Sequence, residues 1–213
     1  MAHAKKFIIV AFGDSITEGT YSGADVSETW PVILKYLLCE SGIPVDVLNA
    51  GIPGETAPEG LQRFNRQVIG LLPQKVLIMY GANDSFIPDD LTKSIVSIEQ
   101  FYLSMEQMVL LAVQNNITPI LMTTTPFSGF FNLDGDDAEL QNNLLDEYMI
   151  KVRAIAQKHN LQLVDHFRIW MEMDKKTPML EKLLPDGVHP NVDGNRLIAQ
   201  TTYDILKETF HNE

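Results

Sequence analysis

The stretch FIIVAFGDSITEG, residues 7–19, is the one whose reading decides the fold. Six apolar residues, Phe7 to Phe12, give way at once to Gly13, Asp14 and Ser15, three residue types that abandon regular structure. A short, unbroken apolar run closed by a Gly-polar turn reads as a strand covered on both faces, the form strands take in a parallel sheet. Four similar runs follow: PVDVLNA (44–50), KVLIMYG (75–81), TPILMTT (118–124) and LQLVDH (161–166). Between them, ETWPVILKYLLCES, TAPEGLQRFNRQVIGLL, TKSIVSIEQFYLSMEQMVLLAVQNN and AELQNNLLDEYMIKVRAIAQKHN place apolar residues three and four apart, and NVDGNRLIAQTTYDILKETF closes the chain in the same way. Alternating strands and helices, joined by right-handed crossovers, predict an α/β fold. The expected form is a three-layer α/β/α sandwich around a five-stranded parallel sheet, flavodoxin-like in outline. No repeat, low-complexity tract or Pro/Gly linker divides the chain, so residues 1–213 are expected to form a single domain.

Composition narrows the function classes. At 213 residues and 45% hydrophobic content the chain is long enough for one core that buries roughly 70% of its unfolded surface. The formal net charge is -12 with no basic cluster, which opposes binding to nucleic acid or to an anionic membrane surface. The single cysteine, Cys39, permits no internal disulfide; in an apolar stretch it reads as a small buried hydrophobe. The opening segment MAHAKKFIIVAFGDS holds too short an apolar run for a signal peptide or a membrane span, which suggests a cytoplasmic protein without a membrane-spanning segment.

In a parallel α/β sheet, ligands meet the loops at the carboxyl ends of the strands. Those loops carry Gly13-Asp14-Ser15 after the first strand, NAGIPGET with Asn49, Gly51 and Gly54 after the second, and GANDS with Gly81, Asn83 and Asp84 after the third. Before the last helix, LLPDGVHPN sets Asp186 three residues ahead of His189 between Pro185 and Pro190. A serine hydroxyl becomes a nucleophile when a neighbouring base takes its proton, and the base works best when a third group orients it. Ser15, His189 and Asp186 fit these catalytic roles, and the i, i+3 spacing lets the orienting pair form within one turn. An oxyanion hole is available from the Ser15 and Gly54 N–H groups and the Asn83 side-chain amide. Asp14 is expected to support the nucleophile loop through backbone hydrogen bonds. A long loop, TPFSGFFNLDGDDAEL (125–140), follows the fourth strand; Phe127, Phe130 and Phe131, with Phe86, either floor an acyl pocket or pack the loop down.

Each feature has a plainer reading. Gly-Asp-Ser after a strand is, taken alone, more often a turn. Gly51 reads best as a turn glycine with positive φ, and Asn83 or Asp84 as a helix cap. A metal site would need three or four ligands, and His3, His159, His166 and His211 occur in no ligand-like spacing, so neither a metal nor another cofactor is expected. The spacing G-x-S-x-G of the nucleophile elbow is absent around Ser15, which disfavours an α/β-hydrolase. No G-x-G-x-x-G or P-loop spacing supports a nucleotide binder.

Taken together, GDSITEG with Ser15, NAGIPGET with Gly54, GANDS with Asn83 and PDGVHPN with Asp186 and His189 make the chain resemble the SGNH hydrolases, also called GDSL-type esterases and lipases. The four blocks stand in the family's order and span residues 12–191; GDSI, where the family nickname has leucine, is a volume-conserving exchange. The resemblance implies the same α/β/α sandwich. It also implies Ser15 as nucleophile, His189 as base, Asp186 as its partner, and an oxyanion hole from Ser15, Gly54 and Asn83. The implied activity is a cofactor-free serine esterase acting on a small-molecule ester. Short acyl groups are expected first, with carbohydrate deacetylase, lysophospholipase and thioesterase as relatives in the family, and a non-catalytic binding module as the contrasting class.

Overall fold

The computed structural model describes residues 7–88, 93–129 and 137–210. All five expected strands form: β1 (Phe7–Gly13), β2 (Val45–Gly51), β3 (Lys75–Met79), β4 (Thr118–Thr123) and β5 (Leu163–Asp165). They build one parallel sheet in the order β2-β1-β3-β4-β5. The apolar runs behave as their lack of alternation requires: every residue of β3 is buried, and so are the last five positions of β1. Edge strand β2 alternates at its start and opens to solvent toward its end.

The expected helical segments become α2 (Trp30–Glu40), α3 (Ala57–Gln67), α5 (Ile98–Gln114), α6 (Asp137–Lys158) and α9 (Val192–Phe210). Helix α2 pairs with α9 over one face of the sheet, and α3, α5 and α6 pack in succession over the other. Their ends follow local chemistry. Thr56 and Glu59 form a reciprocal capping box at the start of α3, and Ser97 Oγ accepts from the Gln100 N–H to cap α5. The core runs from Ile9–Phe12 and Val76–Tyr80 of the central strands outward to Trp30, Phe64, Phe101, Tyr148 and Trp170. The Trp30 indole, buried there, donates from Nε1 to the Ile16 carbonyl at 3.0 Å, so its burial leaves no polar atom unpaired.

Four further helices lie where the sequence pattern predicts none: α1 (Ser15–Glu18), α4 (Ala82–Ser85), α7 (His166–Lys176) and α8 (Leu180–Leu183). The first two are single turns at strand ends. Helix α7 starts on Asp165, whose side chain accepts from the Arg168 N–H, and it buries only His166, Phe167 and Trp170, too narrow a face for a clear apolar period. Strand β5 is correspondingly short, three residues instead of the six expected. Cys39 is a correction: it lies exposed in the last turn of α2, where the helix turns Leu34 and Leu38 to the core and Tyr36, Cys39 and Glu40 to water.

Candidate active site

Strand order brings the candidate residues together. β1 lies between β2 and β3, and Gly13 stands opposite Gly51 on one side and Met79 on the other. The loops after these three strands therefore leave the sheet side by side, at the point where chain order along the sheet reverses. They carry Ser15, Gly54 and Asn83.

Ser15 is the first residue of α1 and is 6% exposed. Asp14 caps that turn by accepting from the Ile16 N–H at 2.9 Å, the supporting role expected of it. Among the described residues nothing accepts from the Ser15 or Gly54 N–H, so both donors remain available. Gly54 has φ +76, a left-handed conformation that favours glycine, and the space a Cβ would enter is open. Gly51 corrects the sequence reading: it closes β2 without a positive φ, and a Cβ there would sit 2.2 Å from the Glu18 nitrogen. It is glycine so that α1 can lie against β2. The Asn83 amide donates to the Glu55 carbonyl at 3.0 Å and reaches Asp14 Oδ2 at 3.4 Å, a long contact that leaves one hydrogen free to turn toward a stronger acceptor.

The other half of the site arrives from the loop before α9. His189 Nε2 lies 2.9 Å from Ser15 Oγ, and Nδ1 lies 2.7 Å from Asp186 Oδ2. Asp186 also accepts from the backbone N–H groups of His189 at 2.7 Å and Val188 at 3.0 Å. Partial burial works against its charge, but these donors and the imidazole more than offset it and hold the carboxyl below the usual aspartate range. The i, i+3 pair thus closes within one turn. The turn itself is pinned from two sides. Ser128, in the loop after β4, donates from its N–H to Gly187 and from its hydroxyl to Leu184, each at 2.9 Å. Asn195 of α9, fully buried, accepts from the Trp30 N–H at 2.9 Å and donates to the carbonyls of Gly19 and Pro190.

Beneath the loops lies a set of buried charges. Glu55, next to Gly54, is held by Arg63, whose Nη2 also donates to the Gly13 carbonyl at 3.1 Å and whose guanidinium covers the Phe12 ring at 4.0 Å. Tyr80 donates its hydroxyl to the same glutamate. Arg63 therefore ties the end of β1 to the Gly54 loop. Asp14 and Asp84 are both fully buried. Burial pushes the Asp14 carboxyl up from 3.8 to about 7 against the Ile16 N–H, with the Glu55 charge adding to the rise. Asp84 rises to about 7 for the same first reason, with the charge of Asp14 adding and the Ala57 N–H opposing. Asp84 braces the neighbouring α3, not the helix that follows it, since Oδ1 accepts from Ala57, the first residue of α3, at 2.9 Å.

The proposed pocket residues separate. Phe127 is a core residue, 3% exposed, with its N–H and carbonyl both bonded to the Asn142 side chain at 2.8 and 2.9 Å. It packs the loop down. Phe86 is half-buried beside α4, and Phe130 and Phe131 lie outside the described residues. The structure adds Tyr21, whose ring stacks on the His189 imidazole with centroids 4.4 Å apart and planes 20° from parallel. Nothing local in TYSGAD marks it, because the contact spans most of the chain. Arg63, Glu55 and Asn195 escaped the sequence reading for the same reason, although a buried Arg-Glu pair eight residues apart around a predicted helix start was a signal within reach.

Comparisons with known proteins give the family and the fold. The chain matches the GDSL-like lipase/acylhydrolase family over residues 11–197. It is 28% identical to an acetylxylan esterase of Geobacillus stearothermophilus, covering 90% of each chain. It is 26% identical to the Bos taurus isoamyl acetate-hydrolyzing esterase 1 homolog, covering 94% of this chain and 81% of that one. Among solved structures it superposes on the Geobacillus stearothermophilus acetylxylan esterase Axe2 with a TM-score of 0.79 at 25% identity, covering 95% of this chain and 94% of that one. The lipase/acylhydrolase of Enterococcus faecalis follows at 0.78 and 26% identity, covering 95% and 96%. A match that runs through all three strand-end loops and on into the last helix leaves one assignment: the chain belongs to the GDSL-like lipase/acylhydrolase family of carboxylic ester hydrolases.

Proposed function

We propose that this esterase cleaves short-acyl esters, acetyl esters foremost, through an acyl-enzyme on Ser15. The observation that carries the reading is the continuous relay Ser15 Oγ, His189, Asp186, with both links at hydrogen-bond length. His189 takes the Ser15 proton as Oγ attacks the ester carbonyl, and Asp186 holds the Nδ1–H tautomer and stabilises the imidazolium that forms. Charge then develops on the former carbonyl oxygen, and the Ser15 and Gly54 N–H groups and the Asn83 amide donate to it. His189 returns its proton to the departing alcohol. Water, deprotonated by the same imidazole, then attacks the acyl-enzyme and frees Ser15.

A small acyl group is favoured by two of the relatives above, whose names refer to acetate esters. The test is hydrolysis of p-nitrophenyl esters from acetate to palmitate beside Ser15→Ala. Activity that falls with chain length and vanishes in the variant is expected. Undiminished turnover by Ser15→Ala would refute the mechanism, and a preference for palmitate would refute the short-acyl assignment. A binding module without catalysis predicts no acyl transfer to Ser15, so stoichiometric labelling by a fluorophosphonate separates it from the enzyme.

A further inference from the structure

We propose that Glu18, Thr20, Tyr21 and Pro53 form the subsite for the alcohol half of the ester, and that it takes an uncharged, hydroxyl-rich ring such as a sugar. The proposal rests on the esterase reading above. These four residues line a depression of about 340 Å³, at the small end of the range for ligand sites, about 300–1,000 Å³. Its position follows from the chemistry. The alcohol oxygen leaves toward His189 Nε2, so the rest of the alcohol must lie beside the imidazole. Tyr21 stacks on that imidazole and keeps 43% of its own surface exposed. Pro53 precedes the oxyanion glycine Gly54, and Glu18 ends the turn that Ser15 begins. The lining of the depression is thus joined to the site by the Tyr21 stack on His189 and, along the chain, to Gly54 and to the turn of Ser15.

Its lining suits one chemistry. An exposed aromatic ring offers a flat apolar face to the C–H groups of a ring, and a hydroxyl and a carboxylate offer partners to its O–H groups. The Glu18 carboxylate is held in place by the Thr20 N–H at 3.0 Å and the Thr20 hydroxyl at 2.9 Å, which fixes its direction while lone pairs remain for a ligand. Among the described residues no cation lines the depression, and Glu18 repels an alcohol bearing phosphate. That disfavours lysophospholipid and nucleotide-thioester leaving groups. The turn that presents Tyr21 is strained: Ser22 has φ 55 and ψ 30, and its buried hydroxyl has no partner among the described residues. A non-glycine residue held there by its surroundings is the kind of cost that structures carry at sites they use.

The test compares three acetyl esters with the wild-type enzyme, Tyr21→Ala and Glu18→Gln: an O-acetylated methyl pyranoside, ethyl acetate, and an acetylated glycerol phosphate. The quantity read is the ratio of kcat/KM for the pyranoside ester to that for ethyl acetate. Tyr21→Ala should lower this ratio about tenfold, mainly through KM, the size expected from losing one stacked ring contact. Glu18→Gln should lower it severalfold and raise the rate on the glycerol phosphate ester. If Tyr21 serves only to hold His189, both neutral esters slow in parallel and the ratio keeps its wild-type value, which overturns the proposal. A wild-type enzyme that cleaves none of the esters and takes no fluorophosphonate on Ser15 would overturn the esterase reading itself, and the subsite with it.

Discussion

Replacing Asp84 with Asn should make the protein more resistant to unfolding at pH 8, by an amount that shrinks steadily as pH falls toward 4. Asp84 is fully buried in α4, with Oδ1 accepting from Ala57 and Oδ2 unpartnered among the described residues. Burial first, and the charge of Asp14 second, push its carboxyl from 3.8 up to about 7. The folded protein therefore keeps this proton up to about pH 7, while the unfolded chain gives it up near pH 4. Between those values the folded state binds more protons, so stability falls as pH rises through the window. A rise of about 3 units, at about 1.36 kcal/mol each, amounts to about 4 kcal/mol once the group is ionised. Asparagine has nearly the same shape, keeps the acceptor for Ala57 and has no proton to lose. The gap in unfolding free energy between variant and wild type should widen by about 2–3 kcal/mol from pH 5 to pH 8. Removing this charge also lets Asp14 ionise more readily, which acts in the same direction. Urea unfolding at pH 5, 6, 7 and 8 measures the gap. A gap that stays constant across that range would refute the idea that Asp84 is held protonated by burial.

Three further expectations follow from other parts of the site and core. Asn83→Ala should reduce kcat by about 10²–10³ with little change in KM, measured by steady-state hydrolysis of a short-chain ester; a raised KM with kcat unchanged would point to ground-state binding instead. Arg63→Ala leaves Glu55 buried without its guanidinium and should cost about 3–5 kcal/mol in chemical denaturation, where an unchanged midpoint would contradict the tether described above. His166 lies fully buried, and burial lowers its pKa from 6.5 to about 3 against the charge of Asp165. The unfolded chain then binds the extra proton first, so stability should fall as pH drops from about 6.5 toward 3, and His166→Gln should flatten that part of a Tm profile.

What the sequence by itself determined is local in origin. Apolar runs without alternation, as in β1 and β3, mark buried parallel strands, because a strand covered on both faces cannot afford a polar side. Asp186 and His189 meet because three residues span one turn, and Asp14 caps α1 because its carboxyl reaches an N–H two residues on. The motif order around Ser15, Gly54, Asn83 and His189 carried the family. Tertiary structure decided what sequence separation hides. Ser15 and His189 stand 174 positions apart and meet only because β1 lies beside β3 and α9 packs on α2. Gly51 looked like a turn glycine, yet its need is spatial, set by the backbone of α1 pressed against it. Phe127 had two sequence readings, acyl floor or loop packing, and Asn142 resolves them by bonding both sides of its peptide. Tyr21 and Asn195 carry no local signature, and Arg63 only its spacing of eight residues from Glu55. Their roles come from burial and from the partners the fold brings within hydrogen-bond reach, and those depend on the crossing of distant elements, which no period or propensity along the chain encodes.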